Sequence, residues 1–430
     1  MKTLTDHQAR FEDYLTKLAT AIGHADRREP LRAYLSGLLL PGERKSVEPM
    51  AAKIDPKRLQ ARHQSMHHFV AKAPWEGGVP LQVARNYALE ALERHGPIQA
   101  WVVDDTGIPK KGRHSVGVAR QYCGQLGKQE NCQVAVSISL VCPTQSVPAA
   151  YRLYLPECWA SDAKRRRAVG VPRSIRFRKK WRIALEEMDR LGAEEVPRAP
   201  VLADGAYGMV TEFREELTRR GFSYAVNIPG DLSFWAPGES PLPPKRWSGQ
   251  GRPPSLLRRD ARHKPRSAEV LIRALPAETW KTVQWREGTR GTMKSRFVAL
   301  RVRPAHRDCW RRQPFEPEWL LAEWPFSEKT PAKYWLSTVP ENTPLEDLVR
   351  LAKLRWRIER DYEEMKGEVG LTHYEGRGWA GFHHHGVLCI AAYAFLAAER
   401  ARLSPPEPVA FLKAAKIPKG FRPRGAPVAA

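Results

Sequence analysis

An arginine, a glutamate and a lysine are spaced so that they share one side of a predicted helix. Arg355, Glu359 and Lys366 recur at intervals of four and seven residues, which places them within roughly 40° of one another. A guanidinium can grip a phosphate with two hydrogen bonds and an ammonium acts as a point charge, so both cations suit phosphate contacts. The alternative is an ordinary surface helix on which the three side chains form ion pairs.

The helix itself is predicted from its apolar periodicity. Apolar residues recur at steps of three and four from Leu351 to Val369, which forms one stripe facing a core. Thr343, Pro344 and Glu346 precede this stripe in the pattern of an N-cap, a first-turn proline and a capping-box glutamate. We therefore expect a helix that begins near Thr343 and holds Glu359 at the edge of a core.

Two predicted strands end on aspartates. The run AWVVDDT, which begins at Ala100, ends on Asp104 and Asp105, and the run APVLAD ends on Asp204. An aspartate at a strand end is usually a turn former. Since neighbours in a strand point to opposite faces, only one of Asp104 and Asp105 can share a site. Asp104 is the site residue if it lies on the same face of the strand as Val102. A bulge at the strand end would make Asp105 the site residue instead.

The order of the remaining patterns indicates an α/β protein. Residues 1–95 are helical by pattern and carry scattered lysines and arginines, which suit either a DNA-docking module such as a helix-turn-helix or solvated helix faces. After three strands come a helix, a strand, a second helix and a fifth strand. Residues 229–331 are rich in tryptophan and proline and include AEVLIRAL and SRFVALRVR, which we interpret as strands of a β-rich insertion rather than as a disordered segment.

The glutamate helix carries a family resemblance. RWRIE followed by Lys366 gives the spacing R-x3-E-x6-K, which resembles the third-carboxylate signature of DDE transposases from bacterial insertion sequences. Ala352 stands where that signature has a tyrosine. The continuation GLTHYEGRGWAGFHHH more closely resembles the related insertion-sequence family numbered seven-oh-one, and the likeness extends from about Gln64 to Leu396.

This resemblance implies a fold with five regions. The expected architecture is α/β, with a ribonuclease H-like catalytic core, an N-terminal helical domain and an inserted β-rich subdomain. The boundaries are 1–95 for the helical, DNA-binding domain, 96–228 and 332–403 for the two parts of the core, 229–331 for the insertion, and 404–430 for a basic, proline-rich tail.

The resemblance also implies the chemistry. Asp104, Asp204 and Glu359 are the expected catalytic residues and metal ligands, with Asp105 as the alternative to Asp104. Two Mg²⁺ ions, which Mn²⁺ can replace, suit such hard oxygen ligands and the cleavage of a phosphodiester. The expected DNA-contacting residues are Arg355, Arg357, Lys366, Lys110 and Lys111. The expected function is a transposase that binds terminal inverted repeats, cuts at the element ends and joins the 3′-OH to target DNA as a homodimer.

Composition is compatible with this reading. Lysine and arginine number 71 against 47 acidic residues, a net charge of +24, which favours a nucleic acid partner over a membrane; the alternative is a merely basic or ribosome-associated protein. Six cysteines without CxxC spacing and an N-terminus without an apolar signal core indicate reduced thiols in a cytoplasmic protein. The family resemblance implies that this protein is bacterial and nucleoid-associated.

Three alternatives remain open at this point. His373 and His383–His385 are either metal ligands or packed or DNA-facing side chains. The protein could instead be a nuclease of ribonuclease H-like fold that shares the metal site but needs no specific end sequences. It could also be a non-catalytic DNA-binding regulator derived from a transposase, although such a protein has no need of three carboxylates.

Overall fold

The computed structural model describes residues 2–288 and 291–404. The tail predicted for 404–430 therefore lies outside the described residues, apart from Ser404. The α-helices are α1 (Lys2–Ile22), α2 (Arg28–Leu39), α3 (Val47–Ile54), α4 (Leu59–Ala71), α5 (Gly78–Leu92), α6 (Glu157–Ala160), α7 (Ala163–Ala168), α8 (Lys180–Ala193), α9 (Gly205–Gly208), α10 (Thr211–Arg219), α11 (Ala268–Arg273), α12 (Leu345–Lys353), α13 (Trp356–Glu364) and α14 (Trp379–Leu403).

The strands join in one large mixed sheet. They are β1 (Ala100–Pro109), β2 (Ala119–Cys123), β3 (Lys128–Val141), β4 (Ser146–Leu153), β5 (Val201–Ala203), β6 (Tyr224–Ile228), β7 (Ser233–Trp235), β8 (Arg266–Ser267), β9 (Lys281–Gly288), β10 (Gly291–Pro304), β11 (Glu318–Trp324) and β12 (Lys333–Ser337). Their order is β2-β3-β1-β5-β6-β12-β11-β10-β7-β8, with β4 paired to β3 and β9 paired to β10. The protein is thus a mixed α/β structure.

The central strands combine two kinds of pairing. β1 is antiparallel to β3 and parallel to β5, and β5 is parallel to β6. Trp101, Val102 and Val103 of β1 are all fully buried, which shows that both faces of the sheet are covered at this point. The strand β4 was not predicted, and it pairs with the second half of β3.

The strands of residues 229–331 continue the same sheet. β10 pairs with β11, β11 with β12, and β12 with β6 of the central strands. SRFVALRVR lies in β10, as predicted. The strand prediction for AEVLIRAL was wrong, because this segment forms α11. Ser267 caps that helix by accepting the backbone N–H of Val270, a local start signal that outweighs the apolar alternation.

The N-terminal helices share a core with the last helix. α14 packs against α1, α2, α4 and α5, and a single cluster of buried residues extends from Tyr14 to Ala401. The Tyr14 hydroxyl donates to the carbonyl of Ala391 at 2.8 Å. α14 is buried on nearly all sides, yet none of the described helices is long and apolar enough to cross a membrane.

The helix predicted from Thr343 to Val369 is interrupted. It consists of α12, α13 and a π-helical turn at Met365–Val369. Pro344 occupies the N-cap position and no side chain caps α12, so the predicted capping box is absent. The break falls at Leu354 and Arg355, where the hydrogen bonds tighten to a spacing of three residues.

Candidate active site

Two parallel strands bring Asp104 and Asp204 to the same edge of the sheet. Val103 of β1 is paired with Ala203 of β5, and the pairing between these strands stops there. Asp104 and Asp204 are the next residue on each strand. The prediction that β1 ends at the aspartates was wrong, because β1 continues to Pro109 while paired with β3.

Asp104 is a largely buried carboxylate held by two donors. Its Oδ1 accepts the backbone N–H of Asp105 at 2.8 Å, and its Oδ2 accepts a hydrogen bond from the Arg355 guanidinium at 2.7 Å. Burial raises the pKa of Asp104 to about 7, although Arg355 acts in the opposite direction; the nearby Asp204 carboxylate raises it further. The Asp104 carboxyl group therefore ionises less readily than an exposed one.

Asp204 begins the short helix α9 and is fixed by it. Its Oδ1 accepts the backbone N–H groups of Ala206 at 3.0 Å and Tyr207 at 3.3 Å, which is N-cap geometry. Burial raises the pKa of Asp204, and these N–H groups and Arg355 partly oppose the rise. Oδ2 accepts no hydrogen bond from the described residues and remains available to a ligand.

Asp105 has different partners from Asp104. Its Oδ2 accepts a hydrogen bond from Lys180 at 2.7 Å, and its Oδ1 accepts one from the Tyr207 hydroxyl at 2.6 Å. Burial raises the pKa of Tyr207, which stays protonated and donates. Lys180 and Tyr207 were not predicted: Lys180 is one of several cations in a basic segment, and nothing in its spacing distinguishes it.

Arg355 joins Asp104 to the third predicted carboxylate. The same guanidinium contacts Asp104 with one nitrogen and Glu359 with another. The Glu359 side chain is 57% exposed, so it lies at the rim rather than in the interior. Within residues 2–288 and 291–404, no three His, Cys, Asp or Glu side chains are grouped as a metal site. The guanidinium lies between the two carboxylates.

The other predicted DNA-contacting residues lie in different surroundings. Lys366 donates to the Gly107 carbonyl at 3.2 Å, and burial lowers its pKa while Asp104 raises it. Lys110 is half-buried and donates to the carbonyl of Tyr374 at 2.6 Å; Lys111 is exposed. Arg357 donates to the carbonyls of Pro143 and Thr144. A role for these four residues in DNA binding remains a prediction.

The histidine run packs inside the protein. His384 lies between the carbonyls of Val70 and Trp75, and His385 contacts the Tyr34 hydroxyl and the Gly370 carbonyl. Burial lowers the pKa of His383 and of His385 to about 4. These side chains pack in the interior, and the metal-ligand alternative has no support among the described residues.

Comparison with known proteins places the chain in a family. A sequence model described as DDE superfamily endonuclease matches residues 17–292, more than half of the chain. The chain belongs to the DDE superfamily endonucleases. It is also similar to the probable transposase for insertion sequence element IS701 of Microchaete diplosiphon, with 31% identity over 147 residues. That alignment spans 34% of this chain and 35% of the relative, so about a third of the relative's length is covered.

The range of the family match includes two of the three predicted carboxylates of this DDE superfamily chain. Asp104 and Asp204 lie inside the matched range, whereas Glu359 lies beyond its end at residue 292. The assignment of Glu359 therefore depends on the R-x3-E-x6-K spacing and on its contact with Arg355.

The donor chemistry of the site fits a divalent metal. Asp104 and Asp204 supply hard oxygen atoms from adjacent strands, and burial raises the pKa of both carboxyl groups. A bound cation would offset this cost of ionisation. Asp104 and Asp204 would hold it, and Glu359 would join them if Arg355 released its side chain.

Proposed function

We propose that this chain is a DDE transposase that cleaves DNA at the ends of its own element and joins the freed 3′-OH to target DNA. The observation that carries this function is that Asp104 and Asp204 directly follow the last paired residues of two neighbouring parallel strands, with Arg355 connecting Asp104 to Glu359. Family membership and the similarity to a probable transposase agree with it.

The strand order supports a ribonuclease H-like core as part of this proposal. β4, β3 and β1 form an antiparallel meander, and β5 and β6 follow in parallel beside β1. Helices α6, α7 and α8 lie between β4 and β5, and helices α9 and α10 lie between β5 and β6. Asp104 and Asp204 lie where the pairing between the parallel strands β1 and β5 stops, which is the end of a sheet at which α/β proteins bind their ligands.

The proposed cofactor is Mg²⁺, with Mn²⁺ as a substitute. Bound by the carboxylates, such ions would activate the attacking oxygen and stabilise the leaving oxygen of the phosphodiester. The protein's own part is to position the ligands. The N–H groups of α9 hold Asp204 through Oδ1 and leave Oδ2 available, while Lys180 and Tyr207 occupy both carboxylate oxygens of Asp105.

Arg355 and Lys366 are the cations that we propose contact phosphates near the cleaved bond. Arg355 contacts both Asp104 and Glu359, so a metal bound by these carboxylates would free its guanidinium for a bidentate phosphate contact. Lys366 lies close enough to Asp104 for the carboxylate to affect its pKa, and it would act as a point charge. Double-stranded DNA is the proposed partner, and joining two ends implies a homodimer on DNA.

A plasmid assay tests this function. The full chain is incubated with a plasmid carrying the DNA that flanks its coding region on both sides, a second target plasmid, and Mg²⁺, Mn²⁺ or EDTA. We expect metal-dependent cuts at inverted repeats and products in which the 3′ ends are joined to the target. Cutting at unrelated positions without joining would assign the protein to the nucleases, and binding without cutting to the regulators.

A further inference from the structure

Two cavities lie side by side next to Asp204. The first, of about 730 Å³, begins at Gly205 and extends to His306 and Arg307. The second, of about 690 Å³, shares Met209, His306 and Arg307 with the first and continues along the beginning of α8. Together they form one depression between the central strands, α8 and residues of the 229–331 region. We call it the Met209 groove.

The Met209 groove is bordered by exposed cations. Lys179, Arg182 and Arg307 line it and are exposed to solvent. Glu212 also lines it and approaches Arg307 only at 4.0 Å, with both side chains more than half exposed. Such a pair contributes little, so the charge of Arg307 remains available to an anion.

Apolar side chains lie between these cations. Met209 is 53% exposed at the junction of the two cavities, and the half-buried side chains of Phe177 and Trp181 line the second. Arg182 stacks on Trp181, with 4.8 Å between the guanidinium carbon and the ring centroid. Cations that follow a backbone, interleaved with flat or apolar surfaces for bases, are typical of single-strand binding sites.

The size of the Met209 groove favours a single strand over a duplex. Each cavity has the volume of a small-ligand pocket, roughly 300–1,000 Å³, which suits a few nucleotides of one strand. A third cavity of about 370 Å³ adjoins at Trp181 and Arg182, but Glu186, Glu215 and Glu216 line it. These acids repel phosphates, so a DNA strand that starts near Asp204 would end before this third cavity.

We propose that the Met209 groove binds a single strand of DNA next to the cleavage site. This inference rests on the proposed function, because the strand is the one that leaves the carboxylates on the Asp204 side. Lys179, Arg182 and Arg307 contact its phosphates, and Met209 and Trp181 contact its bases. The region between the second and third carboxylates thereby supplies one wall of the substrate path, through His306 and Arg307.

Binding of oligo-dT tests the groove without any cleavage. The probes are fluorescein-labelled oligo-dT of about 8 nucleotides, within the range of one single-strand site, and a duplex of the same length, both measured by anisotropy in EDTA. The Arg182→Ala/Arg307→Ala protein should bind oligo-dT about tenfold more weakly, because two phosphate contacts are lost. Its affinity for the duplex should change less than twofold. Glu212→Gln should strengthen oligo-dT binding, since it removes a like charge.

A charge-matched control separates the loss of contacts in the groove from a general loss of positive charge. Arg219→Ala/Arg273→Ala removes the same charge from two exposed arginines outside the groove, which pair with Glu216 and Glu269. It should leave oligo-dT binding unchanged. Equal losses for the two double variants, or equal losses for oligo-dT and duplex, would overturn the proposal.

Failure of the groove proposal and failure of the transposase proposal give different results. If wild type cuts and joins DNA but the groove variants bind oligo-dT normally, only the groove proposal fails. If oligo-dT binding depends on Arg182 and Arg307 while no DNA is cut, the transposase proposal fails and the groove remains a single-strand site.

Discussion

Replacing Asp104 and Asp105 by asparagine should change stability in opposite directions. Asp104 is only 18% exposed and its pKa is raised from 3.8 to about 7. Since each pKa unit corresponds to about 1.4 kcal/mol, ionising Asp104 above pH 7 costs the folded state up to about 4 kcal/mol. A carboxyl group whose pKa is raised by folding lowers the free energy of unfolding as the pH rises from its pKa in the unfolded state through its pKa in the folded state. Asp104→Asn removes this cost.

The expected gain for Asp104→Asn is about 2 kcal/mol, because the asparagine can still accept the Asp105 N–H but leaves Arg355 with one partner fewer. Asp105→Asn should instead lose about 1–2 kcal/mol, since Lys180 and the Tyr207 hydroxyl lose a charged acceptor. Urea unfolding at pH 8 in EDTA measures both. In Mg²⁺-dependent cleavage, Asp104→Asn should be inactive and Asp105→Asn should retain a measurable rate. A destabilised Asp104→Asn protein, or activity that survives in it and not in Asp105→Asn, would refute the assignment of the two neighbours.

Three further predictions concern the remaining structure. Burial would raise the pKa of Glu399, but hydrogen bonds from Arg10, Arg402 and His7 outweigh burial and lower the pKa to about 2. This shift stabilises the fold by about 3 kcal/mol above pH 4.5, and the stabilisation should be lost as the pH falls toward 2. Glu399→Gln should remove it, as measured by urea unfolding at a series of pH values. Lys353 pairs with the buried Glu323 at 2.6 Å, so Lys353→Met should cost about 3 kcal/mol in urea unfolding, and adding Glu323→Gln should recover most of the loss. Binding to non-specific duplex DNA, followed by anisotropy across a salt series, should give a log–log slope of roughly −5 or steeper, and a flat dependence would contradict the nucleic-acid partner.

The sequence predicts the elements that carry strong local patterns. β3 and β10 follow from their alternation, and the stripe from Leu351 to Val369 follows from its period of three and four. In the structure, Ile358, Tyr362 and Met365 of that stripe are buried, as the period requires. Where a helix start signal competed with an apolar run, as at Ser267, the pattern predicted the wrong element.

Long-range contacts are what the sequence does not reveal. No spacing predicts that Lys180 pairs with Asp105, because Lys180 is 75 residues away and resembles its basic neighbours. The position of Arg355 between Asp104 and Glu359 likewise depends on the break between α12 and α13, which the continuous apolar stripe conceals. The shared core of the N-terminal helices and α14 arises from contacts more than 300 residues apart, such as that of Tyr14 with Ala391.

Cleavage of DNA by the Asp204→Asn protein tests most directly whether Asp204 is a metal-binding catalytic carboxylate. The substitution keeps an oxygen to accept the Ala206 N–H, so α9 should form normally, and Asp189→Asn on the exposed side of α8 is the matched control. Cleavage of the flanking DNA is measured in Mg²⁺ and DNA affinity in EDTA. We predict that Asp204→Asn, unlike the control, shows no detectable cutting while it binds DNA within a few-fold of wild type. Cutting at a rate close to that of wild type would contradict the account.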